Sequence, residues 1–173
     1  MSLPTWLDEQ LTGALALSNW QQLGLAFLLG SFVVAAWSDL KYLAAQREFL
    51  EVWLVFLVVV LAHDAYLVQA GRLASGMALL KWGLLVGLSV LSLREVGVLF
   101  RLARGDVAAL AAGGCLLPPL FVIVFFLAAR VFDLLLRPAL ARGRRFYPFM
   151  PVVTLATVAV LALALALRAA GRP

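Results

Sequence analysis

Residues 106–136 read DVAALAAGGCLLPPLFVIVFFLAARVFDLLL. This stretch is too long for one untilted helix across a bilayer, which needs roughly 20 residues. It is interrupted by Gly113-Gly114 and again by Pro118-Pro119. Glycine weakens a helix interior, and proline lacks the N–H a helix needs, so the two pairs together are strong punctuation. The stretch therefore reads as two segments, a short one from Asp106 to Leu117 and a fuller one from Leu120 to Leu136. Whether the chain turns back here decides the orientation of everything that follows.

Outward from this region the apolar runs are long and continuous rather than alternating. Hydrophobic residues make up 65% of the 173 and charged residues 13%, against about 25% charged in a soluble domain. A chain so poor in charge has lipid as its main solvent, and only helices or closed barrels span lipid. Continuous runs select helices. Further spans are expected over about 20–37, 52–68, 74–93 and 148–167. The expected fold class is all-α: a polytopic membrane helical bundle of about six transmembrane segments, forming one domain over residues 20–173. Residues 1–19 stand apart. Leu7, Leu11 and Leu15 fall at helical spacing with Trp6 and Trp20 nearby, as in a short interfacial helix. The first charges are Asp8 and Glu9, which does not fit the basic start of a cleavable signal peptide. Gly83 and Gly87 form a small-xxx-small pair expected to pack closely against another helix.

The net charge is +5, from 14 basic and 9 acidic residues. The basic residues sit mostly beside hydrophobic runs, so they are assigned to membrane orientation rather than to nucleic acid. Lys41, Arg47, Arg94, Arg101, Arg104, Arg137, Arg142, Arg144 and Arg145 fall on one side; Arg72, Arg168 and Arg172 fall on the other. The positive-inside rule places the first set in the cytoplasm of a multi-pass cell-membrane protein, provided the Gly-Gly/Pro-Pro region reverses the chain. The lone Cys115 excludes an internal disulfide and a cysteine-rich zinc site. His63 has no metal-ligand partner at a useful spacing, so neither a metal nor another cofactor is expected.

Carboxylates near lipid are costly and often functional. Asp64 is expected in a structural or interfacial role near the outer end of the second span. Asp133 lies three residues after Arg130, which is ion-pair spacing on a helix. Glu95 reads as solvated. Asp39 and Asp106 differ, each lying at the cytoplasmic boundary of a span. For Asp39 the alternatives are a solvated helix end and a catalytic acid; for Asp106 they are an N-cap and a catalytic acid.

The segment Ser38-Asp39-Leu40-Lys41, followed by a polar stretch to Glu51 and a new span, resembles the first aspartate motif of the type IV prepilin peptidase family. Ala103-Arg104-Gly105-Asp106-Val107 is similar to that family's second motif, GxGD, with Ala103 in the place of the first glycine. Tyr147-Pro148-Phe149-Met150-Pro151 resembles the Pro-Phe-x-Pro lead into its last helix. The Ile-Pro-Asn that commonly follows the first aspartate is replaced by Gln46-Arg47-Glu48-Phe49. The resemblance implies a membrane aspartyl endopeptidase with Asp39 and Asp106 as its catalytic pair, supported by Lys41 and Gly105 in the motifs. It implies prepilin-like or preflagellin-like precursors as partners. A single cysteine and no glycine-rich cofactor loop imply cleavage without methyl transfer. Pro138-Ala139-Leu140 matches a motif of presenilin-related proteases, but it falls in an expected loop among arginines and reads as coincidence.

In such a pair two carboxylates share one proton. One activates water and the other protonates the carbonyl oxygen or the leaving nitrogen. Glu48 and Glu51 either attract a basic leader or form a solvated face. The rival readings are a membrane scaffold, a transporter using Lys81, Thr154 and Thr157, and a homologue that binds precursors without cutting them. The oligomeric state has no signature in the sequence.

Overall fold

The computed structural model describes Gln10, Thr12 and residues 18–42, 47–141 and 147–170. Among these residues six helices form: α1 (Asn19–Tyr42), α2 (Arg47–Gln69), α3 (Ser75–Ser92), α4 (Arg104–Gly114), α5 (Pro119–Ala141) and α6 (Met150–Ala170). The only β pairing among them is an isolated bridge between Leu93 and Leu102, so the fold is all-α. Five helices are long and apolar enough to cross a membrane, which makes this a multi-pass membrane protein. The sixth, α4, has 11 residues, about 16 Å of helix, roughly half the hydrocarbon thickness. The expected six spans are thus five spans and one half-length helix.

The short helix is the hub of the bundle, in contact with each of the other five helices. Its sequence explains why: Ala108, Ala109, Ala112, Gly113 and Gly114 are buried and small, so neighbouring backbones approach closely. At its far end Cys115 N–H donates to Ala112 O at 3.4 Å and Leu117 N–H to Gly114 O at 3.0 Å, closing a turn. Pro119 then opens α5 at the first helical position, where its missing N–H is harmless. Residues 112–117 are all buried, as irregular backbone at membrane depth must be. The chain reversal inferred from the two dipeptides is present. The glycines do more than break the helix, because a Cβ on Gly113 would lie 2.8 Å from Phe125 Cζ and 3.2 Å from Thr157 Oγ1.

Several expected boundaries shift. α1 continues through Asp39 and Lys41, and Glu48 and Glu51 lie at the start of α2, so most of the expected polar connection is helical. α5 runs past Leu136 to Ala141 with Pro138 inside it, which puts the Pro-Ala-Leu triplet in a helix rather than a loop. A proline this near the helix end costs one hydrogen bond, to the Leu134 carbonyl. Gly83 and Gly87 do not mediate packing: both are exposed, and a Cβ on either would have nothing within 4 Å. The buried stripe of α3 is instead Lys81, Leu85, Ser89 and Ser92. The interfacial helix expected over 1–19 falls almost wholly outside the described residues; Gln10 Oε1 accepts a hydrogen bond from Leu120 N–H at 3.4 Å.

The predicted consequence is asymmetric glycine sensitivity. Gly113→Ala lowers stability by about 1–3 kcal/mol through overpacking against Phe125, read as thermal unfolding in detergent. Gly83→Ala and Gly87→Ala are neutral or slightly stabilising in the same assay.

Candidate active site

Asp39 lies in the last turn of α1, on the stripe that buries Leu28, Phe32, Ala35 and Ala36, and is itself only 6% exposed. Its partner is a backbone group. The Met150 N–H, at the first residue of α6, donates to Asp39 Oδ2 at 3.1 Å, and the Phe149 backbone also acts on the carboxyl. The first amides of a helix have no partner within it, and an acidic group there is favourable. Phe149 sets the turn, its carbonyl accepting from Val152 and Val153 N–H at 2.9 and 3.3 Å. The ring of Phe149 is buried between Phe100 and Tyr147.

Asp106 lies in the first turn of α4. The N-cap is Ala103, extended at φ −69° and without a side-chain cap. Asp106 is therefore the third helical residue, not the cap expected as its plainest role, and it acts back on the Ala103 backbone as the acid of a capping box does. The ordinary φ at Ala103 means that alanine fits where the GxGD pattern has glycine. Gly105 is half-buried, and a Cβ there would meet nothing within 4 Å. The loop before α4 is fixed by Arg94 N–H to Leu102 O at 2.9 Å, Leu102 N–H to Ser92 O at 3.1 Å, and a left-handed Gly97 at φ +64°. An exposed Arg104–Glu95 contact of 3.8 Å adds little.

The two carboxylates, 67 positions apart, lie within electrostatic reach of each other at one end of the bundle. Burial, and next the charge of Asp39, raise the Asp106 carboxyl from 3.8 to about 7. A carboxyl so placed is half-protonated near neutrality and can both give and take a proton. Lys41, Glu48 and Glu51 are exposed.

The remaining buried acids are structural pairs. Asp133 Oδ2 accepts from Arg130 Nη1 at 2.8 Å, the i,i+3 pair read from sequence, and Arg137 Nη2 adds a second contact at 3.6 Å. Asp64, expected in a structural or interfacial role, takes the structural one: it is buried and bound by Lys81 Nζ at 2.7 Å and Trp82 Nε1 at 2.9 Å. The Lys81 considered for transport is thus already neutralised. His63 packs against Trp20 with the two rings tilted and their centroids 4.2 Å apart. Among the described residues no three side chains of metal-binding type converge.

The sequence did not mark the Met150 amide or the Arg137 contact. A backbone donor has no residue signature, and the charge of Arg137 was absorbed by the orientation rule. No protein-family model, curated protein or solved structure matches the chain.

A pH dependence follows from Asp106. Its neutral form is favoured in the fold, so the folded protein holds this proton while the unfolded chain releases it. Stability from this group is full below 3.8 and is lost as pH rises to about 7. The wild-type melting temperature in detergent is expected to fall across that window relative to Asp106→Asn; parallel profiles contradict it.

Proposed function

We propose that this chain is a membrane aspartyl endopeptidase of the prepilin-peptidase type. It removes the basic leader of prepilin-like or preflagellin-like precursors at the cytoplasmic face. The feature that carries the reading is the approach of Asp39 and Asp106, 67 positions apart in the chain, to within electrostatic reach at one end of the bundle, where burial and the Asp39 charge hold the Asp106 carboxyl above its ordinary value. The ordered motifs around Ser38-Asp39, Gly105-Asp106 and Pro148-Phe149-Met150-Pro151 support it. The same end of the bundle carries Arg94, Arg101, Arg104 and Arg137, which supports a cytoplasmic orientation.

In this mechanism Asp39, accepting the Met150 amide, acts as the carboxylate that takes a proton from water. Asp106 carries the shared proton and donates it to the carbonyl oxygen or the leaving nitrogen. No covalent intermediate and no cofactor take part. Two apolar clefts suit a substrate whose leader precedes an apolar helix. One, of about 290 Å³, includes Leu57, Leu85 and Val107, the residue after Asp106; the other, of about 540 Å³, includes Ala36, Pro151 and Leu40, the residue after Asp39; neither aspartate lines them. Glu48 and Glu51 are the acids assigned to the basic leader. α4, beside five helices long enough to span, takes the place of the sixth segment of the expected topology.

One observation favours a second reading, a homologue that binds precursors without cutting them: the bond from the Met150 amide gives Asp39 a purely structural task as cap of α6. Co-expression with a precursor bearing a short basic leader and an apolar helix separates the two. Wild type is expected to shorten the precursor on a gel. Asp39→Asn and Asp106→Asn are expected to lose about 10²–10⁴-fold in cleavage rate while still inserting in the membrane. Equal processing by all three contradicts the peptidase.

A further inference from the structure

The cluster around Asp133 has no task in the chemistry above, yet it reaches the segment that leads into the Asp106 helix and the segment that leads to the Met150 amide on Asp39. Asp133 is fully buried, and two arginines of its own helix converge on its Oδ2, Arg130 at 2.8 Å and Arg137 at 3.6 Å. The arginines are not otherwise idle. The Arg130 guanidinium lies over the Phe100 ring at 5.6 Å from its centroid, and Arg137 over Tyr147 at 5.2 Å. Phe100 stands three residues before Ala103, the N-cap of the helix that opens with Asp106. Tyr147 stands three residues before Met150, whose amide holds Asp39. Phe149 joins the two aromatic residues edge-on, at 5.7 Å from Phe100 and 6.3 Å from Tyr147.

We propose that Asp133 is a positioning residue: through Arg130 and Arg137 it gathers the 93–103 and 147–150 segments and so sets the spacing of Asp39 and Asp106. A guanidinium that shares a buried carboxylate keeps a fixed orientation, and a cation over an aromatic face attracts that ring. One carboxylate thus orients two cations, and each cation fixes one aromatic anchor. A buried anion on the same helix is costly, and removing it leaves two cations with no common partner. The catalytic consequence rests on the peptidase reading; the structural one does not.

Two measurements separate these consequences. Hydrogen exchange of the full-length protein in detergent reads the clamp directly. Asp133→Asn is expected to speed exchange about tenfold in both 93–103 and 147–153. Arg130→Met acts mainly on the first segment and Arg137→Met mainly on the second. These two variants each keep one ion pair, so they decide the matter if Asp133→Asn does not fold. Precursor cleavage by Asp133→Asn is expected to show kcat reduced about tenfold or more with KM within about twofold, and Asp133→Glu to restore part of kcat. Unchanged exchange in both segments, or equal effects of the two arginine variants on both segments, overturns the clamp whatever the enzymology. Normal kcat despite loosened segments overturns the positioning role. Absence of cleavage by wild type counts against the peptidase alone, and exchange then decides the clamp by itself.

Discussion

The constraint on which the structure turns is the burial of a half-length helix at the centre of five long ones. α4 must hide its C-terminal end inside protein, because lipid would not tolerate its terminal turn. Small residues let five helices close around it. Gly113, Gly114, Pro118 and Pro119 reverse the chain within protein surroundings. What remains is the other end of α4, where the helix meets the charged face of the bundle and presents Asp106.

That placement sets up a conflict between two acids. Asp39 is drawn into the interior because α6 begins with an amide that needs an acceptor. Asp106 is drawn to the same place by the course of α4. Burial and mutual repulsion both disfavour a second charge, so Asp106 keeps its proton to about 7. The cap on α6 and the raised carboxyl are therefore linked: the interaction that fixes Asp39 also fixes the charge that acts on Asp106. Arg130 and Arg137, both on Asp133, lie over Phe100 and Tyr147, one ring in each of the segments that lead into α4 and α6.

Much of this was legible in the sequence. The double dipeptide announced the reversal, the apolar runs announced the long helices, and the boundary positions of Asp39 and Asp106 singled them out from nine acids. The Arg130–Asp133 pair followed from helical spacing alone. Other features were hidden for physical reasons. A polar residue in a lipid-facing helix turns inward, so Lys81, Ser89 and Ser92 took the inner face of α3 and left Gly83 and Gly87 outside. A charge at the end of an apolar run looks like the end of a helix, but α1 continues because a backbone amide receives Asp39. Partners such as the Met150 amide, and rings such as Phe100 and Tyr147, are set by tertiary contact between distant segments and leave no local pattern.

At the centre of the proposed chemistry, two acids far apart in the chain share one proton. Infrared difference titration of the detergent-solubilised protein, following the protonated carboxyl band, measures this most directly. The expected result is a band titrating at about 7 in wild type, absent in Asp106→Asn, and moved to lower pH but not abolished in Asp39→Asn. A band that titrates near the ordinary carboxyl value of 3.8, or one whose midpoint is the same with and without the Asp39 charge, would contradict it.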